Sequence, residues 1–247
     1  MDGMRESPTL GAAGLAWLRE LMRREGVMRG LGSAFASVWE LVLDYLPSRR
    51  RLRYGDIDYD FDYRVNTTWA APALRVRLRE IFTRGKYQPS EPELFHAIVN
   101  SLQVEFERFT FIDLGSGKGR TLLMASDYPF RKIIGAEIIP ELHAIAVDNL
   151  ARYQSERQKC LALSAWVGDA RQFPFPPDPM VLYLFNPFPA DILREVLTRL
   201  QESLRRFPRE TYVIYHNLIH DDVFQSVGFL RAVHRTDQYA IYVVGTN

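Results

Sequence analysis

Four short polar clusters in this sequence each follow an apolar run, and their residue types could bind a nucleotide-like ligand. The first, Asp113-Leu-Gly-Ser-Gly-Lys-Gly119, has three alternate glycines that allow a sharp turn and a close approach of the backbone to a ligand. In open α/β sheets, ligands bind beyond the carboxyl ends of the strands. The other three clusters are Glu137, Gly168-Asp169-Ala170 and Asn186-Pro187-Phe188. The sequence therefore predicts that all four clusters contribute to one site at that edge of a sheet.

The spacing of the glycines narrows the kind of ligand. A dinucleotide-binding loop has glycine at its first, third and sixth positions. Here the loop begins at Gly115, the sixth position is Arg120, and the third glycine comes at the fifth position as Gly119. This spacing argues against a dinucleotide such as NAD, and it resembles that of S-adenosylmethionine-binding loops.

These motifs resemble those of the class I, or seven-stranded, S-adenosylmethionine-dependent methyltransferases, particularly uncharacterised bacterial members. The first motif of that family is an acidic residue, an aliphatic residue and Gly-x-Gly-x-Gly, as in Asp113 to Gly119. The order of the later clusters strengthens the resemblance. It implies an α/β fold with a Rossmann-like, doubly wound, seven-stranded sheet whose last strand is antiparallel.

The resemblance also implies roles for the acidic residues. Asp113 would supply negative charge near the sulfonium and ammonium groups, and Gly115, Ser116, Gly117 and Gly119 would contact the methionine half. Glu137, which lies 24 positions after Asp113, would accept hydrogen bonds from both ribose hydroxyls. Simpler structural roles stay open, because a strand-end aspartate such as Asp113 can cap the next helix.

The third cluster would hold the adenine. By the same resemblance, Asp169 would accept from the adenine amino group and the Ala170 amide would donate to the ring. Asp169 could instead cap a turn.

The fourth cluster is the candidate catalytic motif. Asn186-Pro187-Phe188 resembles the Asn-Pro-Pro-Tyr/Phe motif of methyltransferases that act on amide or nucleobase nitrogen. The second proline is absent here, since the order is Asn-Pro-Phe-Pro. We expect this motif beside the transferable methyl group, without a commitment to a planar nitrogen as acceptor.

A loop before the first core strand carries a further candidate. Tyr87-Gln-Pro-Ser90 is similar to a Tyr-x-Pro-Ser/Thr loop in several protein-lysine methyltransferases of this fold, which implies that Tyr87 lies over the cofactor. Ser90 and Glu93 also have the spacing of a capping box for a helix over 94–102. Both roles are compatible.

No metal site is predicted. His216 and His220 are four residues apart, but His216 falls at the end of a strand and no third ligand accompanies the pair. His216 could reach the substrate as a base, although a structural role is the simpler interpretation. Aspartates alternate with apolar residues from Asp56 to Tyr63, which predicts a common acidic side if that segment is extended.

Two amphipathic helices are expected over residues 12–46, separated by a glycine-rich break at 26–32. We therefore predict a helical extension and basic linker over residues 1–53 and a methyltransferase domain over 54–247. These helices could cover the pocket or bind a partner.

The composition places limits on the compartment and on partners. The formal net charge is +1, so no overall electrostatic attraction to nucleic acid is predicted. Cys160 is the only cysteine, which excludes an intrachain disulfide. No secretion signal or membrane span is expected, which favours a cytoplasmic protein.

We therefore predict an S-adenosylmethionine-dependent methyltransferase that acts on a nitrogen or oxygen nucleophile. The acceptor would be an unidentified protein side chain or small molecule. The alternative is a non-catalytic S-adenosylmethionine-binding protein that regulates or scaffolds another enzyme.

Overall fold

The computed structural model of the chain describes residues 10–44, 57–67 and 90–244. These residues divide into two compact units: the two N-terminal helices belong to the first, and Tyr59–Thr67 with 90–244 form the second. The predicted boundary near residue 54 lies outside the described residues, as does Tyr87. The two units are described separately below.

The first unit contains a pair of helices, α1 (Leu10–Glu25) and α2 (Val27–Asp44). Gly26, with φ of +80°, forms the break between them, which is shorter than the break predicted over 26–32. The helices approach closely at Gly30, where a Cβ would lie 2.9 Å from the Cα of Met22. None of the helices in the described residues is long and apolar enough to cross a bilayer.

The second unit is a sheet with helices on both sides. Its helices are α3 (Ile57–Tyr63), α4 (Pro92–Asn100), α5 (Arg120–Ala125), α6 (Pro140–Arg152), α7 (Ala190–Arg206) and α8 (Asp221–Ser226). Its strands are β1 (Thr110–Leu114), β2 (Lys132–Glu137), β3 (Leu163–Val167), β4 (Met180–Phe185), β5 (Thr211–His216), β6 (Leu230–Arg235) and β7 (Tyr239–Val244). Short 3-10 turns occur at Phe106–Arg108 and Ala170–Gln172.

The seven strands lie in the order β3-β2-β1-β4-β5-β7-β6. Strands β1 to β5 are parallel to one another, and β7 is antiparallel to both β5 and β6. The chain begins in the middle of the sheet at β1, moves outward to β3 and then returns to β4. This reversal between β1 and β4 is the switch point at which such sheets bind ligands. The predicted seven-stranded sheet with an antiparallel last strand is confirmed.

The core fills both faces of the sheet, because alternate residues of each strand point to opposite sides. On β1, Ile112 belongs to a cluster that includes buried residues of α7 and α8, whereas Phe111 belongs to a cluster with α4 and α5. All five β1 residues are buried. A strand covered on both faces therefore reads as a largely apolar run, in which Thr110 and Asp113 are the polar residues of β1.

One prediction about local structure is wrong. The alternating aspartates predicted an extended segment, but residues 57–63 form helix α3. The rings of Tyr59 and Tyr63, one helical turn apart, lie 4.7 Å from each other, and Tyr63 contacts Tyr153 with ring centroids 5.3 Å apart. Aromatic packing on one helix face therefore outweighs the alternation of polar and apolar residues.

The predicted capping box is also wrong. Helix α4 begins one residue after Glu91, which has no side-chain capping bond. The Ser90 hydroxyl is instead 3.2 Å from the hydroxyl of Tyr183 on β4. Pro92 at the first helical position has no N–H to satisfy, which reduces the need for a cap.

Candidate cofactor-binding and active site

The glycine loop between β1 and α5 has the backbone shape that its sequence predicts. Gly115, Gly117 and Gly119 have φ values of +86°, +54° and +83°, in the left-handed region that favours glycine. A Cβ at position 115 would lie 2.4 Å from the Cβ of Pro187, and one at position 119 would lie 3.3 Å from that of Ala146. A side chain at position 115 would therefore clash with Pro187, and one at position 119 would be tightly packed as well as strained.

Asp113 is a buried carboxyl group at the start of this loop. Its side chain accepts a hydrogen bond from the Thr121 hydroxyl on α5. Burial raises the pKa of Asp113 to about 7, and the nearby Glu137 acts in the same direction, while the Thr121 hydrogen bond opposes the increase. The carboxylate thus carries negative charge at an electrostatic cost in the ligand-free protein, and a bound cation would reduce that cost.

Glu137 lies at the end of β2 and is 6% exposed. Its carboxylate accepts hydrogen bonds from the backbone N–H of Gly117 at 2.9 Å and of Ile139 at 2.8 Å. Burial raises the pKa of Glu137, and these amides oppose that increase. Each carboxylate oxygen has a second acceptor direction, so the two amide bonds leave capacity for hydroxyl donors.

The structure joins the fourth polar cluster to the glycine loop. Asn186 follows β4 with φ of +40°, a left-handed conformation that is uncommon for residues other than glycine. Its Oδ1 accepts a hydrogen bond of 2.8 Å from the Tyr215 hydroxyl, and Tyr215 accepts one from the His220 amide at 3.0 Å. Pro187 packs on Gly115, as described above. Phe188 packs against the hydrophobic core on the α7 side of the sheet.

In the third polar cluster, Asp169 contacts the turn that follows it. Asp169 caps the Ala170–Gln172 turn by accepting from the Arg171 amide at 2.9 Å, and it pairs with the Arg171 guanidinium. Hydrogen bonding from Arg171 lowers the pKa of Asp169, which is therefore ionised at neutral pH. Ala170 is buried in the core. The turn cap that sequence analysis left open is therefore present, and the adenine contact stays a prediction.

His216 ends β5 inside a chain of polar contacts. Its Nδ1 lies 2.7 Å from the Tyr183 hydroxyl, and its ring stacks on Phe185 at 4.2 Å. Burial lowers the pKa of His216 to about 4, so the ring is neutral at physiological pH. This environment fits a structural histidine better than a base. In the part of the chain that the structure describes, no group of three metal-binding side chains occurs.

The hydroxyl of Ser116 is directed towards β2. A Cβ at Gly135 would lie 2.7 Å from this Oγ, and the Oγ has no hydrogen-bond partner within the described residues. The Ser116 amide donates to the Ala136 carbonyl at 3.0 Å, and the Ser116 carbonyl accepts from the Gly119 amide at 2.8 Å, so a contact between Ser116 and a ligand stays a prediction.

A polar network that joins Asn149, Asn66 and Lys118 of the glycine loop is not apparent from the sequence. Asn149 on α6 is 1% exposed, and its Nδ2 donates to the backbone oxygens of Lys118 at 2.9 Å and Asn66 at 3.0 Å. Lys118, inside the loop, is fully buried and donates to Asn66 Oδ1 at 2.9 Å. A polar residue on an amphipathic helix gives no sequence signal for such a role.

The arrangement brings together the loop, two buried carboxyl groups and the Asn-Pro motif. Asp113 and Glu137 influence each other electrostatically across Gly117, and Pro187 touches Gly115. A site of this kind could bind a ligand with positive charge and a hydroxylated ring, and present part of it to Asn186.

No protein-family model matches the chain, and no curated protein sequence matches it. Solved structures do match. A ribosomal protein L11 methylase from Lactobacillus delbrueckii subsp. bulgaricus is 12% identical, with a TM-score of 0.46 over 65% of this chain and 80% of that chain. A putative S-adenosylmethionine-dependent methyltransferase from Methanococcus maripaludis is 15% identical, with a TM-score of 0.46 over 63% and 85%.

An RNA methyltransferase from Salinibacter ruber in complex with S-adenosylhomocysteine is 18% identical, with a TM-score of 0.44 over 64% of this chain and 92% of that chain. Similarity at this level concerns the fold, so the chemistry of the site has to be argued from its own residues. One of these proteins is named for a ribosomal protein and another for RNA. These structures therefore give no support to the expectation, based on net charge, that the acceptor is not nucleic acid.

Proposed function

We propose that this chain is an S-adenosylmethionine-dependent methyltransferase that transfers a methyl group to a nitrogen or oxygen nucleophile. The observation that carries the proposal is the contact between Gly115 and Pro187. These residues belong to the two motifs that sequence analysis assigned separately to cofactor and acceptor. Their contact supports a single site in which the cofactor loop and the acceptor motif are adjacent.

The residues present fit the proposed cofactor. Burial raises the pKa of Asp113 although Thr121 donates a hydrogen bond to it, and a buried carboxyl group of this kind suits a ligand with a sulfonium and an ammonium group. Glu137 has acceptor capacity for a ribose diol beyond its two amide bonds. The glycine loop allows its backbone to approach the ligand closely. The same loop lacks the sixth-position glycine of a dinucleotide site, because Arg120 stands there.

In this proposal the cofactor supplies an electrophilic methyl group, and the chain aligns the nucleophile with it. A direct displacement needs mainly the correct distance and an available lone pair. Asn186 would position the acceptor. Its Oδ1 already accepts from Tyr215, so its Nδ2 and the second acceptor direction of Oδ1 are the groups that would contact the acceptor.

We further propose a protein side chain or a small molecule as the acceptor, and a methyltransferase domain that starts near residue 54. The similarity of the Tyr87 loop to that of protein-lysine methyltransferases favours a protein amine. The uncommon backbone conformation of Asn186 also supports a functional role for the motif, since such conformations concentrate at active sites.

The proposal can be tested without knowledge of the acceptor. The purified protein is incubated with methyl-labelled S-adenosylmethionine and a cell lysate, which is then separated into protein, nucleic acid and small-molecule fractions. Asn186→Ala is the matched control, because it removes the positioning amide but leaves the glycine loop unchanged. We expect label in one fraction with the parent protein and much less with the variant.

The competing function is a non-catalytic S-adenosylmethionine-binding regulator or scaffold. It predicts that the parent protein binds the cofactor but transfers no label to any fraction beyond the Asn186→Ala background. Label in the nucleic acid fraction alone would retain the methyltransferase and refute the proposed acceptor classes.

A further inference from the structure

The segment Tyr59–Thr67, which we call the strap, is joined to the glycine loop by hydrogen bonds of Asn149 and Lys118. Asn149 Oδ1 accepts from the Asn66 amide at 2.8 Å, and Asn149 Nδ2 donates to the Asn66 carbonyl. The same Nδ2 also donates to the carbonyl of Lys118, which lies between two of the loop glycines. One amide side chain thus joins the strap, helix α6 and the loop.

Charged groups make a second set of contacts between the strap and the loop. Arg120, the first residue of α5, donates from Nε to Thr67 Oγ1 at 2.9 Å, and its guanidinium lies over the Tyr59 ring at 4.6 Å. Asp60 accepts from the Thr67 amide at 2.9 Å and from the Thr67 hydroxyl. Because Arg120 and Thr67 are almost completely buried, these bonds lie where solvent competes poorly for them.

The glycine loop needs such support. Three of its residues have a conformation open mainly to glycine, and glycine loses the most conformational freedom when it is fixed. A loop whose peptide groups must meet a ligand in one geometry binds more tightly if that geometry is fixed before binding. Lys118 is the one loop position whose carbonyl and side chain are both held by partners outside the loop, namely Asn149 and Asn66.

We propose that Asn149 is a positioning residue for the cofactor, which fixes the glycine loop by joining Lys118 to the strap. This inference rests on the proposed function. The strap is then part of the cofactor site, although none of its residues has to touch the ligand. Linkage is reciprocal, so the bound cofactor must also stabilise the strap against opening.

The test compares Asn149→Ala with Tyr242→Phe. Tyr242 donates a buried hydrogen bond to Asp221, so its variant also loses a buried polar contact, but between β7 and α8. Affinity for S-adenosylhomocysteine is measured by calorimetry, and unfolding is measured by denaturant titration. We expect Asn149→Ala to bind at least about tenfold more weakly, because its bonds hold the loop. Tyr242→Phe should bind like the parent.

Hydrogen exchange supplies a readout that a purely structural role would not change. In the parent protein, S-adenosylhomocysteine should slow exchange of the strap amides, especially those of Asn66 and Thr67. In Asn149→Ala this slowing should be much smaller. Unchanged affinity in Asn149→Ala, or an equal loss in Tyr242→Phe, would overturn the inference.

If Asn149→Ala does not fold, Asn149→Asp serves in its place. Aspartate keeps an oxygen that can accept from the Asn66 amide, but it removes the Nδ2 donor to the Lys118 and Asn66 carbonyls. A several-fold loss of affinity supports the inference, and parent-like affinity overturns it. A parent protein that does not bind S-adenosylhomocysteine would instead refute the proposed function, and the inference with it.

Discussion

Replacing Asp113 with asparagine should stabilise the ligand-free protein and weaken cofactor binding at the same time. The asparagine keeps the shape of the side chain and an oxygen that can accept from Thr121, but it removes the charge. The folded protein raises the pKa of Asp113 from 3.8 to about 7. Each pKa unit corresponds to about 1.4 kcal/mol, so holding the charged form in the fold costs roughly 4 kcal/mol.

The sign of the pH dependence follows from this direction. A carboxyl group whose pKa is raised on folding binds its proton more tightly in the folded state, so stability is lost as pH rises from about 4 through 7. Between pH 5 and pH 8 the parent should lose about 3 kcal/mol relative to Asp113→Asn. The assay is denaturant unfolding of both ligand-free proteins at the two pH values.

Asp221→Asn is the matched control. Asp221 is also a buried carboxyl group, but hydrogen bonds from Tyr242, Arg235 and Gln225 outweigh its burial and lower its pKa. Its replacement should therefore destabilise the protein at pH 8. If Asp113→Asn is less stable than the parent at pH 8, the carboxylate is not held at an energetic cost, and the argument for its cofactor role fails.

The remaining predictions concern residues at the ends of β2, β4 and β5. Glu137→Ala should weaken S-adenosylhomocysteine binding by about 2 kcal/mol without unfolding the domain, as measured by calorimetry; normal binding would show that Glu137 supports only the loop. Asn186→Ala should lower the rate of methyl transfer far more than cofactor affinity, and Tyr215→Phe, which removes the hydroxyl that bonds Asn186 Oδ1 and the His220 amide, should have a smaller effect in the same direction. Equal rates would remove this motif from the active site. The ring of His216 should stay neutral from pH 5.5 to 8, because its pKa is about 4; nuclear magnetic resonance titration of the ring with a midpoint near 6.5 would contradict its burial.

The sheet could be predicted from the sequence because its central strands are buried on both faces. Such strands read as apolar runs, as in β4 (Met180–Phe185). Polar residues that interrupt or end these runs, such as Asp113 and Glu137, therefore stood out as candidates for function. The same reasoning placed their clusters at one edge of the sheet.

Contacts between residues distant in sequence could not be predicted in this way. Asn149 lies 83 positions after Asn66, and no sequence pattern indicates that these two residues are in contact. The alternating aspartates before Tyr63 gave no indication of a helix, in which Tyr63 contacts both Tyr59 on the same helix and the distant Tyr153. Ser90 and Glu93 have the spacing of a capping box, but the Ser90 hydroxyl lies within hydrogen-bond distance of the Tyr183 hydroxyl on β4. The sequence does not indicate that β4 lies beside Ser90.

The central claim is that the glycine loop binds S-adenosylmethionine and not a dinucleotide. Calorimetric titration of the parent protein with S-adenosylhomocysteine and with NAD tests it directly, with Gly117→Val and Gly228→Val as a matched pair. Gly117 has a positive φ that valine rarely adopts, whereas a Cβ at Gly228 would meet nothing within 4 Å. We predict binding of S-adenosylhomocysteine by the parent and by Gly228→Val, no binding by Gly117→Val, and no binding of NAD. Tight binding of NAD, or unchanged affinity in Gly117→Val, would contradict the account.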